Sequence, residues 1–231
     1  MSTAPTPPKR KRGRPRIEGL AERRADEILP VAINLFARNG YSCTDLQVVA
    51  DKLGVGKGTL YRYFPSKKDL FQAALTRVLT GMREAVDAAV AQETDPLDQL
   101  YAAIRAYLSY FDEHPEYVEL IMQERAEFRD KKRSTYFEHR EAAIGRWHDF
   151  YRGLIAAGRL RDRLPVERIT DVLSSAVYGT MCTNYFAGHE KSLAQQAEDI
   201  LEVALHGLLT PEESTRRMAR IHRNGSKESA E

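Results

Sequence analysis

An all-α fold, with a small helical unit in front of a larger one, is what the sequence predicts, and three observations carry it. From about Asp26 onward apolar residues recur three and four positions apart, the period of an amphipathic helix. Glycine and proline fall mainly between these periodic stretches, at Gly40, Gly54, Pro65, Pro96, Pro115, Gly158, Pro165, Gly188 and Pro211. No stretch of strict two-residue alternation is long enough to argue for a strand.

Taken in order, residues 1–24 have the composition of a disordered basic arm: proline and threonine, then Lys9-Arg10-Lys11-Arg12-Gly13-Arg14-Pro15-Arg16, with little apolar surface to bury. The first helix is expected over about Glu27–Asn39, with Ile28, Leu29, Ala32, Leu35 and Phe36 on one face and Gly40 as its stop. Pro30 belongs only in a first turn, so this helix is expected either to start late, near Glu27 to Leu29, or to be kinked. Thr44 and Gln47 have capping-box spacing, which predicts a second helix over about Asp45–Leu53 with Thr44 as its cap. A Gly54-Val55-Gly56 turn leads into a third helix, Lys57 to Phe64, ended by Pro65. Ser66 and Asp69 then mark the cap of a long helix beginning near Lys67. Behind it the period predicts helices over about Leu97–Asp112, Glu116–Arg129, Tyr136–Ala157, Val166–Ala187 and Leu193–Leu208, and a frayed polar tail over 211–231. The organisation expected is therefore an arm over 1–24, a small helical unit over 25–70, a larger helical unit over 71–210, and the tail over 211–231.

Charge divides the chain in the same way. The total of 231 residues carries 35 Lys+Arg against 33 Asp+Glu, a formal +2. Counted along the sequence, residues 1–70 hold 14 basic and 7 acidic side chains, and residues 71–231 hold 21 and 26. A basic front and an acidic back imply an anion-binding module joined to a different partner unit. Most of the front's excess sits in residues 1–24, with 8 basic and 2 acidic side chains.

Other features exclude classes. Cys43 and Cys182 are the only cysteines, so neither a disulfide framework nor a cysteine-based zinc site is expected, and a reducing compartment fits. The basic N-terminus has no apolar stretch behind it, unlike a secretory signal. The longest uncharged run, Val172 to His189, is 18 residues long and contains two serines, two threonines and an asparagine, which argues against a membrane span. The six histidines show no metal-ligand spacing, and no phosphate loop or nucleophile elbow occurs. No cofactor, metal or catalytic residue is expected, and the setting expected is cytoplasmic, in association with the nucleoid.

Two short helices joined by a glycine-containing turn form the helix-turn-helix pattern. At 100° per residue, Leu60 and Phe64 share an inward face of the second helix. Gly58 and Arg62 centre the opposite face, Thr59 lies beside them, and Tyr61 and Tyr63 flank that ridge. A glycine in the ridge lets the backbone approach base edges, and flanking hydroxyls suit phosphates on the two groove walls. Lys57 and Lys67 supply cations for the phosphate backbone, and Thr44, at a helix start, is expected to meet a phosphate as well.

Residues 28–74 carry more than a pattern. Ile28-Leu29-Pro30-Val31-Ala32-Ile33-Asn34-Leu35-Phe36, Gly40-Tyr41, Val48-Val49-Ala50, Leu53-Gly54-Val55 and Gly58-Thr59-Leu60-Tyr61-Arg62-Tyr63-Phe64-Pro65-Ser66-Lys67-Lys68-Asp69-Leu70 resemble the DNA-binding domain of the tetracycline-repressor (TetR/AcrR) family. The resemblance implies a homodimeric transcriptional regulator, usually a repressor, released from a palindromic duplex operator by a small-molecule effector. Arg12-Gly13-Arg14-Pro15-Arg16 is similar to the core of an AT-hook. In such a motif the glycine lets a narrow segment lie deep, and Arg12, Arg14 and Arg16 would seek the negative potential of an A·T-rich minor groove. A nonspecific basic tail is the alternative for this arm.

Fourteen of the twenty aromatic residues lie between Tyr101 and Phe186. Tyr107, Phe111, Met122, Trp147, Tyr151, Tyr178 and Met181 are the candidate lining of an effector pocket, set against plain core packing. Val172, Ala176 and Gly179, with Ile200 and Ala204, are the candidates for a dimer interface built from the last two helices of each subunit. Two rival classes remain: a helix-turn-helix protein that organises DNA without sequence preference or effector, and an all-helical small-molecule enzyme or binding protein.

Overall fold

A computed structural model describes residues 20–206, and among them every regular element is helical. The order is α1 (Leu20–Asn39), α2 (Leu46–Lys52), α3 (Lys57–Tyr63), α4 (Lys67–Val90), α5 (Pro96–Asp112), α6 (Pro115–Glu127), α7 (Thr135–Ala156), α8 (Val166–Ala187) and α9 (Leu193–Leu201), which continues as a π-helical turn, Glu202–His206. The all-α expectation holds. The chain divides into two compact units between Ala74 and Leu75, inside α4.

In the first unit, α1 departs from expectation. It begins at Leu20, not near Glu27, and Pro30 lies in its interior. Pro30 is exposed, so water can take the place of the backbone donor it lacks, while Ile28, Leu29, Ala32, Ile33, Leu35 and Phe36 bury the opposite stripe. Gly40 closes the helix in the left-handed conformation, φ +80°, its N–H donating to the Phe36 carbonyl at 2.9 Å. Three aromatic rings then pin α1 to α4: Phe71 meets Phe36 edge-on at 5.1 Å and Tyr41 at 5.2 Å.

The cap of α2 is a second correction. Asp45, not Thr44, is its N-cap, accepting from the Gln47 N–H at 2.8 Å. Thr44 is only 2% exposed, and its hydroxyl turns back to the carbonyls of Gly40 (2.7 Å) and Leu35 (3.2 Å). It therefore closes the end of α1. Gly54, at φ +64°, makes the turn into α3, whose Leu60 is fully buried. Ser66 caps α4 as expected, accepting from the Asp69 N–H at 3.1 Å.

The second unit is built around α5, which packs against α6, α8 and α9, while α7 packs on α8. Asp95 caps α5, with Pro96 at its first position, and also holds the Arg159 guanidinium through two bonds of 2.6 and 3.1 Å. Gly81 permits α4 and α5 to approach: a Cβ there would lie 2.6 Å from the Tyr110 hydroxyl, which donates to the Val78 carbonyl. Between α6 and α7 sits a buried ionic knot. Glu124, 1% exposed, accepts from the Thr135 N–H (2.7 Å), the Thr135 hydroxyl and the Lys131 ammonium (3.1 Å). Ser192 and Gln195 form a reciprocal capping box on α9.

Candidate functional site

The outward face of α3 is assembled by what lies beneath it. Leu60 and Phe64 anchor the helix inward, which turns Gly58, Tyr61 and Arg62 to solvent and leaves Thr59 and Tyr63 half-buried at the sides. Tyr61 is 44% exposed, a large share for an aromatic ring in so small a unit. Arg62 folds over the Tyr63 ring at 5.1 Å, its Nη2 reaching 3.4 Å from the Tyr63 hydroxyl. A Cβ placed on Gly58 would meet nothing within 4 Å. Nothing in the packing asks for glycine at that point.

The two cations expected to serve phosphates are both held. Lys57 donates to Asp45 Oδ1 at 3.0 Å, and Lys67 donates to the Ser42 carbonyl at 2.9 Å while lying 4.9 Å from the Tyr41 ring centre. The Gln47 N–H, and after it Lys57, hold Asp45 below the ordinary carboxylate range, and Asp45 in turn raises Lys57. Both partners of this ion pair face solvent, so a phosphate can exchange for the carboxylate at little cost. Thr44 does not join this surface, because its hydroxyl is buried against α1. Arg12, Arg14 and Arg16 lie outside the described residues.

In the second unit the seven pocket candidates separate among three cavities. Tyr107, Trp147 and Tyr151 line a cavity of about 150 Å³ bordered by α4, α5, α7 and α8. Met122 and Tyr178 line a wider cleft of about 830 Å³ along α6, α7 and α8, whose wall also holds Arg125, Lys132, Arg133, Glu141 and Asp171. Phe111 and Met181 line a third, of about 140 Å³, between α5 and α8. The first cavity has an apolar floor of Val86, Leu100, Ala103, Ile104 and Leu173, and an aromatic wall in which the Tyr107 and Tyr136 hydroxyls meet at 2.8 Å. Burial pushes Tyr136 up to about 12 and Tyr107 well above its ordinary value, so both stay neutral and act as hydrogen-bonding groups.

Sequence reasoning missed the polar members of this cavity, Arg83, His139, Arg140 and Arg146. A signal for two of them lies in α7: Tyr136, His139, Arg140, Ala143, Ile144, Trp147 and Tyr151 share one helical stripe, and a stripe that mixes arginine and histidine with aromatic rings is a poor core face. Burial, reinforced by Arg83, holds His139 below the ordinary histidine range.

Of the interface candidates, Val172 is 66% exposed, and Ala176, Gly179 and Ala204 are exposed, whereas Ile200 is half-buried. Phe186, 70% exposed, lies on the same side of α8 two helical turns beyond Gly179. No helix among the described residues is long and apolar enough to cross a membrane.

Two family descriptions match this chain: "Bacterial regulatory proteins, tetR family" over residues 28–74, and "Tetracyclin repressor-like, C-terminal domain" over residues 93–208, half of its length. The chain belongs to the TetR family. The first match covers α2, α3 and the face just described, so this TetR-family chain is a transcriptional regulator whose DNA-binding helix-turn-helix lies at its N-terminal end. It is 24% identical to the transcriptional repressor KstR2 of Mycobacterium tuberculosis over 194 residues, 84% of this chain and 96% of the relative. It is 29% identical to the transcriptional activator FasR of Mycolicibacterium smegmatis over 102 residues, 44% of this chain and 47% of the relative. In fold it is similar to FadR of Bacillus subtilis, solved in complex with stearoyl-CoA, at a TM-score of 0.68 and 18% identity, covering 80% of this chain and 99% of that one.

Proposed function

We propose that this TetR-family regulator is a repressor that binds a palindromic duplex operator as a homodimer and is released when a small molecule enters the cavity between α4, α5, α7 and α8. The observation that carries the DNA-binding half is Gly58. Glycine in a helix costs about 0.5–1 kcal/mol relative to alanine, and the packing around Gly58 has room for a side chain. Close approach of backbone to base edges accounts for a glycine there. Thr59, Tyr61, Arg62 and Tyr63 then read or position the groove, Lys57 and Lys67 meet phosphates, and Arg12, Arg14 and Arg16 add affinity from the arm. The repressor sense follows the relationship to KstR2, which spans nearly the whole of that relative.

Pairing of α8 and α9 with their copies would cover Val172, Phe186 and the small residues between them, and bring in Ile200 and Ala204. Two-fold symmetry would set the α3 helices of the dimer roughly 34–36 Å apart, or a multiple of that distance. Met82, Arg83 and Val86 of α4 line the cavity, and the same helix begins at Lys67, a short turn after α3. A ligand that favours one position of α4 therefore biases the DNA-binding unit, provided its affinity differs between the two states. The place of action is the cytoplasm, on the nucleoid.

The test is to select the bound sequence from a random duplex pool and titrate it with the wild type and with the double substitution Tyr61→Phe, Tyr63→Phe. Loss of two phosphate hydrogen bonds should weaken selected DNA roughly ten- to a hundredfold and leave thermal stability unchanged. Unaltered affinity would remove α3 from the interface. Failure of the selection to enrich any sequence would favour a nonspecific DNA-organising protein. Deletion of residues 1–19 should also flatten the salt dependence of binding.

A further inference from the structure

The inner cavity has an uneven chemistry. Three arginines, Arg83, Arg140 and Arg146, belong to its lining, and no carboxylate does. Arg146 is held from outside by Asp87 at 2.7 Å, and one Nη of Arg140 donates to Asp171. The remaining buried polar groups of the wall are matched: the Tyr107 and Tyr136 hydroxyls bond each other, and the Thr170 hydroxyl donates to the Val166 carbonyl at 2.7 Å. Arg140 Nε is different. It is buried and has no hydrogen-bond partner among the described residues. A charged donor withdrawn from water without an acceptor is unfavourable, and a shift of the Arg140 side chain that presents it to an anion oxygen in the cavity would relieve it through a charge-assisted bond. His139 adds no charge at neutral pH, because its environment keeps it unprotonated there.

Volume narrows the class further. About 150 Å³ is the size of an engineered protein cavity that holds one benzene ring. One ring occupies about that much space and lies well against the apolar floor and Trp147.

We propose that this cavity takes a small monocyclic carboxylate, its ring on the Val86–Ile104–Leu173 floor and one carboxylate oxygen accepting from Arg140 Nε, with Arg83 at the rim as the second cation. The inference rests on the cavity being the effector seat and adds the chemistry of what enters.

The experiment is calorimetric titration of the full-length protein, free of DNA, with benzoate, cyclohexanecarboxylate, benzyl alcohol, palmitate and benzoyl-coenzyme A. Both ring acids are expected to bind at least tenfold more tightly than benzyl alcohol, with no binding of palmitate. Arg140→Lys keeps a charge and deletes the Nε donor; Arg83→Gln removes a cation from an exposed position and leaves the interior intact. Each should weaken benzoate about tenfold and leave benzyl alcohol unaffected. Benzyl alcohol binding as tightly as benzoate, or palmitate or benzoyl-coenzyme A binding more tightly, would overturn the proposal. A parallel titration of the selected operator complex separates the two readings: benzoate that binds the protein yet leaves DNA bound defeats the effector assignment and upholds the ligand class.

Discussion

The two units of this regulator bury different things. The first unit, α1 to the start of α4, closes over an apolar interior of Ala32, Phe36, Val49, Leu60, Leu70 and Phe71, and among its described residues Thr44 is the buried polar side chain. The second buries Glu124, Thr135, Thr170 and Gln196, pairs the Tyr107 and Tyr136 hydroxyls, and leaves Arg140 Nε and His148 Nε2 without partners. A unit that displays a fixed face to DNA gains from a dry, close-packed interior, which holds α3 in one place. A unit that senses a molecule must admit polar groups to its interior, where unsatisfied donors supply discrimination. The contrast also covers titration: every histidine among the described residues lies in the second unit, at 114, 139, 148, 189 and 206.

The largest effects should come from breaking each interior in its own way. Glu124→Ala leaves Lys131 and the Thr135 N–H and hydroxyl facing a gap, and loss of one member of a buried ion pair costs about 3–5 kcal/mol. Leu60→Ala leaves a cavity under α3 and costs about 2–5 kcal/mol. The magnitudes overlap, but the remedies differ. Glu124→Gln retains size and an acceptor and should recover part of the loss, whereas Leu60→Met should recover most of it because volume is what that site requires. Chemical denaturation of the four variants decides the matter. Equal recovery by both conservative substitutions would erase the distinction between the two interiors.

Much of this was legible beforehand. The helical period and the punctuation place eight of the nine helix starts among the described residues within one or two positions, because burial of one stripe is what makes each helix stable. The failures have local physical causes. Thr44 and Asp45 are both good cap residues, and sequence spacing cannot choose between them; the choice falls to Asp45 because the Leu35 and Gly40 carbonyls engage the threonine hydroxyl. By sequence Pro30 belongs only in a first turn, but it lies on the solvent side of α1, where a lost hydrogen bond is inexpensive. The cavity was the least legible part. Aromatic spacing is the same for a core and for a pocket, so Phe111 and Met181 look equivalent to Tyr107 and Trp147 until the space between helices is known.

At the DNA face, the comparison predicts effects near 1 kcal/mol that separate stability from binding. Asp45→Ala deletes the α2 cap and should cost about 1 kcal/mol. Asp45→Asn keeps a side-chain acceptor for the Gln47 N–H and should be neutral to within about 0.5 kcal/mol. Both remove the carboxylate from Lys57, so both should tighten the operator complex severalfold at low salt. Equal affinity of Asp45→Asn and the wild type would place the Lys57–Asp45 pair away from the phosphates.

Gly58→Ala moves stability and binding in opposite directions. The helix should gain about 0.5–1 kcal/mol, since alanine suits a helix better and the added methyl meets nothing in the free protein. Operator affinity should fall at least tenfold as that methyl is driven into the groove. A variant that is more stable and binds as well as the wild type would show that α3 does not seat its backbone against DNA.

The smallest expected effect tests the titration contrast. His189 Nε2 lies 2.7 Å from Asp112 Oδ1, and its Nδ1 lies 2.9 Å from the Lys191 carbonyl, so both ring nitrogens face acceptors and the imidazolium is the form that satisfies them. The Asp112 carboxylate, and then the Lys191 carbonyl, raise His189 above its ordinary value of 6.5. A raised folded-state value means that this tether contributes fully below about pH 6.5 and is lost as pH climbs through the folded value. The pair is partly exposed, so its contribution should be only a few tenths of a kcal/mol. Asp112→Asn should accordingly lower the melting temperature slightly at pH 6 and leave it unchanged at pH 8.5, while the operator-binding unit, which has no histidine, shows no matching change. A deficit that is the same at both values would mean that Asp112 acts by packing and not by charge.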